Sequence, residues 1–135
     1  MAYTQQLGYI NENDQRNLCC SKLRAGDVIV DARMIMNNSE SVIVAGAISV
    51  ILPFTSLTSG VGVTQFTLAA GVQGQRKVIL LETDGGGNAQ INVTGWGYGA
   101  AAATNIVMDD AGDMVELVYR TNKWFVLANH GCAIN

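Results

Sequence analysis

From Asp27 onward the chain is a succession of short apolar runs cut by Gly, Asn, Asp and Ser. "DVIVDARMIM" is rich in branched residues and alternates in part. "SVIVAGAISVIL" follows the turn-prone "NNSES". "TQFTLAAG", "RKVILLET", "AQINVT", "NIVM", "DMVELVY" and "KWFVLAN" come after it. No run keeps a helical period over three turns, and short runs bounded by turn residues read as strands. Strands at this spacing with short connections predict an all-β domain, an antiparallel β-sandwich or barrel-like (jelly-roll-like) body, over residues 27–135. Residues 1–26 are polar and irregular and read as an extended N-terminal arm.

Local pairing follows from the same pattern. "DMVELVYRTNKWFVLAN" predicts a hairpin whose two-residue loop is Thr121-Asn122, because Asn tolerates the positive φ such loops require. In the first of its strands Val115, Leu117 and Tyr119 share one face, while Met114, Glu116, Val118 and Arg120 share the other. The return strand is apolar on both faces, Trp124 and Val126 alternating with Phe125 and Leu127. "KVILL" has the same character. Strands of this kind are buried on two sides, within the domain or against a neighbouring subunit.

Composition strengthens the second possibility. Charged residues are 14% of the 135 and apolar residues 49%, against a usual charged share of about 25%. A chain so poor in charge is expected to cover part of its surface with copies of itself or another protein, an unusually large core being the other source of such a composition. The longest apolar run, 42–54, is broken by Gly46, Ser49 and Pro53, so no membrane span is expected. Net charge −3, with no cluster of Lys and Arg among aromatics, argues against nucleic acid. The polar N-terminus lacks the charged start and apolar core of a signal peptide. Cys19, Cys20 and Cys132 form no disulfide framework and read as reduced thiols.

Candidate chemistry is sparse. Gly85-Gly86-Gly87 follows Asp84 between two strands; a phosphate cradle needs a helix after it, so the segment reads as a tight turn. "GYGAAA" fits G-x-G-x-x-A in letters but lacks the crossover helix and second parallel strand of a dinucleotide site. Asp109, Asp110 and Asp113 surround Gly112 without a full calcium loop, and a turn with solvated carboxylates is expected. His130 has Cys132 nearby but no C-x-x-C, and no Ser lies in G-x-S-x-G. No catalytic residue, cofactor or metal ligand is therefore assigned.

The order of turns and strands carries a resemblance. A Leu-x-x-Gly turn at 68–71 leads to Gly-Gln-x-Lys at 74–77 before an apolar strand. An Asp-opened glycine turn at 84–87, Gly-Asp-x-Val-x-Leu at 112–117 and a Lys-Trp return strand at 123–126 follow. In this order residues 66–131 resemble a β-rich domain of tailed-phage structural proteins, most closely in versions from phages of cyanobacteria and marine hosts. "GAISVILPFTSLTSG" is similar to the lead-in strand of that family. "VTGWGYGAAAAT" departs from it in its Gly and Ala content.

The resemblance implies a homotrimeric, non-enzymatic virion protein, assembled in the host cytoplasm and placed on the capsid surface. On that reading it is a capsid decoration (cement) protein whose partners are itself and the major capsid protein. A head- or tail-fibre knob binding host-surface glycans through Trp96 and Tyr98 is the alternative. The expected trimer contact lies within Val78, Ile79, Leu80 and Leu81 and within Trp124, Phe125, Val126 and Leu127. The expected capsid anchors are Tyr3, Leu7, Tyr9 and Ile10 of the arm.

Overall fold

A computed structural model describes residues 39–97 and 104–135. The arm with Tyr3, Leu7, Tyr9 and Ile10, the 27–36 run, Cys19, Cys20 and Tyr98 lie outside the described residues.

Ten strands follow one another: β1 (Ser39–Val42), β2 (Gly46–Ile48), β3 (Phe54–Thr58), β4 (Thr64–Leu68), β5 (Arg76–Thr83), β6 (Ala89–Val93), β7 (Asn105–Met108), β8 (Met114–Arg120), β9 (Lys123–His130) and β10 (Ala133–Ile134). They form two five-stranded sheets, β1-β3-β5-β8-β9 and β10-β7-β6-β4-β2. The expected all-β sandwich is the observed class. The sheets are mixed, however, and their parallel ladders set the winding apart from a jelly roll.

Through β6 the chain changes sheet at every step. Strands two apart in sequence therefore stack in parallel: β1 on β3, β3 on β5, β2 on β4 and β4 on β6. Parallel neighbours cannot be joined by a hairpin and need a crossover. Here the crossover is the facing strand of the other sheet. The last four strands then turn back antiparallel: β8 on β5, β9 on β8, β7 on β6 and β10 on β7. A short turn leads equally to a hairpin partner or to the facing sheet, which is why the letters suggested antiparallel order throughout.

Strand alternation fills the interior. Leu57, Ile79, Leu81, Val115, Leu117 and Trp124 point inward from one sheet, and Phe66, Leu68, Ile91, Ile106 and Met108 from the other. Most are fully enclosed. Burying a side chain of this size contributes about 1.5–3 kcal/mol. Trp124 donates Nε1–H to the Ala69 carbonyl at 2.9 Å and meets Tyr119 edge-on, with ring centroids 5.0 Å apart. The expected Thr121-Asn122 loop is present, with φ of 49° and 61°. Both values lie in the left-handed region, as a type I′ hairpin demands.

The triple glycine is the corner by which β5 crosses to β6. It stacks on the β3–β4 corner, with Ser59 N–H donating to Thr83 O and Thr64 N–H to Asn88 O. A Cβ on Gly85 would come within 2.3 Å of Ser59 O, and one on Gly87 within 2.4 Å of Gly62 O. Asp84 accepts from Ser59 Oγ and from Gly86 N. Glycine is required so that one corner can lie directly on the backbone of another.

Candidate interaction surface

The outward positions of the two sheets differ in chemistry. On the first sheet, register puts Phe54 beside Val78 and Ser56 beside Leu80. Val78 lies opposite Glu116, Leu80 opposite Met114, and Arg76 opposite Val118. Val118 in turn pairs with Phe125. Phe54, Val78, Leu80, Met114, Val118 and Phe125 are all half-buried on this face. Within it Arg76 Nη2 bonds Glu116 Oε1, so the two charges neutralise each other. A register shift between Glu116 and Leu117 makes Leu127 the extra residue of β9. Leu127 lies on the Phe125 side by alternation and is 52% exposed.

On the second sheet the outward residues are Gln65, Thr67, Gln90, Asn92, Asn105 and Val107, as the pairing of inward Phe66, Ile91 and Ile106 dictates. This face is amide- and hydroxyl-lined and carries no charge. Asn92 donates Nδ2–H to Gln65 Oε1 at 3.0 Å.

The expected contact residues divide between the inside and the outside. Ile79, Leu81 and Trp124 are fully enclosed in their own copy, and Val126 packs against the core. Val78, Leu80, Phe125 and Leu127 remain on the outer face. The physical reason is alternation: an apolar-apolar strand supplies two faces, and only one belongs to its own core. Phe54, Met114 and Val118 join them on that face through a register that a single strand does not contain.

Two corners are also apolar. Ile43, Val44, Val61 and Val63 are 58–91% exposed at the β1–β2 and β3–β4 corners. Ile51 and Val72 stand out at the opposite end, beside an open groove lined by Val50, Ala70 and Gly71 to Gln75.

The polar groups inside the body are structural. Lys77 is fully buried. Its Nζ donates to Ser49 O at 2.8 Å, to Leu52 O at 2.7 Å and to Thr55 Oγ1, and lies 3.4 Å from Glu40 Oε1. The same Glu40 oxygen accepts from Ser49 N–H and Thr55 Oγ1. One ammonium thus ties β1, the β2–β3 connection and β3 to β5. Burial pushes Lys77 below the usual lysine range, while Glu40 pulls it back up.

Asp113 is buried and its Oδ2 accepts from Asp109 N–H and Asp110 N–H. It closes the turn into β8. Asp109 and Asp110 are exposed, and His130 lies on the exposed end of β9. Cys132 is buried, and burial first, then Asp113, pushes its thiol up to about 12. Among the described residues, no three His, Cys, Asp or Glu side chains are grouped to hold a metal ion. Trp96 is half-buried. Residues 95–97 bond the edge of β9, Trp124 N–H donating to Gly95 O and Gly97 N–H to Trp124 O. Among the described residues, no helix is long and apolar enough to cross a membrane.

Comparison with protein-family models, with curated proteins and with solved structures finds no match for the chain.

Proposed function

We propose that this chain is a non-enzymatic structural protein of a tailed-phage virion, a homotrimeric decoration protein that binds the outer capsid surface and stabilises the head. The observation that carries the reading is exposed aliphatic surface: Ile43, Val44, Ile51, Val61, Val63, Val72 and Leu127 are each more than half exposed. Single exposed aliphatics are ordinary, but contiguous groups of them mark contact surfaces. The charge deficit and the resemblance of residues 66–131 point the same way.

The mechanism is multivalent clamping. Each copy contributes a modest area, and once one arm of a trimer is seated the others bind at high effective concentration. A protein that binds only the assembled lattice stabilises it by mass action. Electron microscopy of the virion tests the placement: density for three-fold clusters on the capsid exterior is expected, and density at the tail instead refutes it. Deleting the gene is expected to leave capsids that release their contents at lower temperature.

One observation favours the alternative of a fibre knob. The second sheet presents Gln65, Gln90 and Asn92 on an uncharged face, whose amides both donate to and accept from sugar hydroxyls. Binding to host-surface polysaccharide that is lost in Gln90→Ala would support that reading over the first.

A further inference from the structure

We propose that residues 39–52, the first coil of the stack, open as a unit while β3 to β10 stay folded, and that opening bares the edges of β3 and β4. The inference does not depend on where the protein acts.

The first coil is held from one side. Among the described residues, β1 pairs only with β3 and β2 only with β4, each at the edge of its sheet. The β1 ladder runs from Ser39 to Val42 and the β2 ladder from Gly46 to Ile48. By contrast β5 and β6 are flanked on both sides. Detaching the first coil therefore breaks one short ladder in each sheet and leaves the ladders of β5 and β6 whole.

Its apolar hold is slight. Ile48 is enclosed, while Val42 and Val50 are only partly buried against the core. Ile43, Val44 and Ile51 face solvent. The next coil encloses Leu57, Phe66 and Leu68 completely, and the one after it Ile79, Leu81 and Ile91. Segments with few buried apolar contacts are the ones that open locally, and the first coil is such a segment.

What closes it is polar. Glu40 enters the interior from β1, and Ser49 and Leu52 present their carbonyls; Lys77 Nζ on β5 meets all three. Gln75 Nε2 adds a bond to Val50 O. When the coil opens, water replaces each of these partners, and Glu40 and Lys77 recover the hydration that burial withheld. The cluster fixes where the coil seats and leaves opening less costly than it is for an apolar coil. The hinge is Pro53, whose carbonyl accepts from Val78 N–H at 2.8 Å and so fixes the chain to β5 from there on.

Native-state hydrogen exchange of the full chain in low urea tests the proposal. The probes are Ser49 N–H, which donates to Glu40, and the amides that join β1 and β2 to β3 and β4. Corrected for intrinsic rates, they are expected to exchange at least about tenfold faster than the amides of Ile79 and Ile91 and to share one weaker dependence on urea. Asp113→Ala, in the turn before β8, gives a second reading. It is expected to speed the Ile79 and Ile91 amides at least about fivefold and to leave the first-coil amides unchanged, because that turn stays folded when the coil opens. Gly86→Ala serves the same purpose should Asp113→Ala fail to fold.

A single urea slope for all these amides, with Asp113→Ala or Gly86→Ala speeding the first coil as much as Ile79, would show one cooperative body and overturn the proposal. So would first-coil amides with unrelated slopes, which would show fraying residue by residue. Amides of 39–52 that exchange at unprotected rates would show that the coil does not close at all, and would overturn it too.

Discussion

Replacing Lys77 by Met separates a structural ion pair from a merely tolerated one. The substitution keeps the apolar stem and removes the ammonium. Ser49 O and Leu52 O then lose donors at 2.8 and 2.7 Å. Glu40 keeps the Ser49 and Thr55 donors but loses its counter-charge. Breaking a buried pair from one side costs about 3–5 kcal/mol. Glu40 keeps some access to water, its side chain being 19% exposed, so the lower end applies.

A loss of about 3 kcal/mol in a chain of this size lowers Tm by roughly 9–15 °C. Urea unfolding followed by Trp fluorescence reads this at fixed protein concentration, since association shifts apparent stability. Combining Lys77→Met with Glu40→Met removes both charges, and most of the loss is expected to return. The pH dependence has a defined sign. The folded state releases the Lys77 proton below 10.5, the ordinary value. Between the folded value and 10.5 the unfolded chain therefore holds more protons, and wild-type stability rises with pH relative to Lys77→Met. A loss under about 1 kcal/mol in Lys77→Met, within the range of an exposed pair, would refute the claim that this lysine ties β1 and the β2–β3 connection to β5.

Three further expectations follow from the turns and the thiol. Gly85→Ala and Gly87→Ala should each cost more than Gly86→Ala in chemical denaturation, because their Cβ atoms meet backbone at 2.3 and 2.4 Å. At Gly86 only the φ of 92° is strained, with open space around it, so a loss of about 1–2 kcal/mol is expected there. Asp113→Ala should lose about 1–3 kcal/mol by leaving the Asp109 and Asp110 amides unpaired, with Asp109→Ala close to neutral in the same assay. Cys132 should resist iodoacetamide at about pH 8 in the folded protein and react in urea, as peptide mapping would show, since its thiolate forms only near pH 12.

The sequence alone determined the β class, because apolar runs of strand length recur without a helical period. It determined the Thr121-Asn122 hairpin, because a two-residue loop flanked by alternating strands has few conformations. It also determined the triple glycine as a corner, since a strand follows where a phosphate site needs a helix. Only the tertiary structure decided which strands stack in parallel, because a short turn serves a hairpin and a change of sheet alike. It separated Ile79, Leu81 and Trp124 inside from Val78, Leu80 and Phe125 outside, and it brought Phe54, Met114 and Val118 onto the same outer face. Lys77 was legible only as a charge before an apolar strand. Its burial depends on Glu40 and the Ser49 and Leu52 carbonyls, and these partners, 25 to 37 residues away in the chain, meet it only when the coils stack.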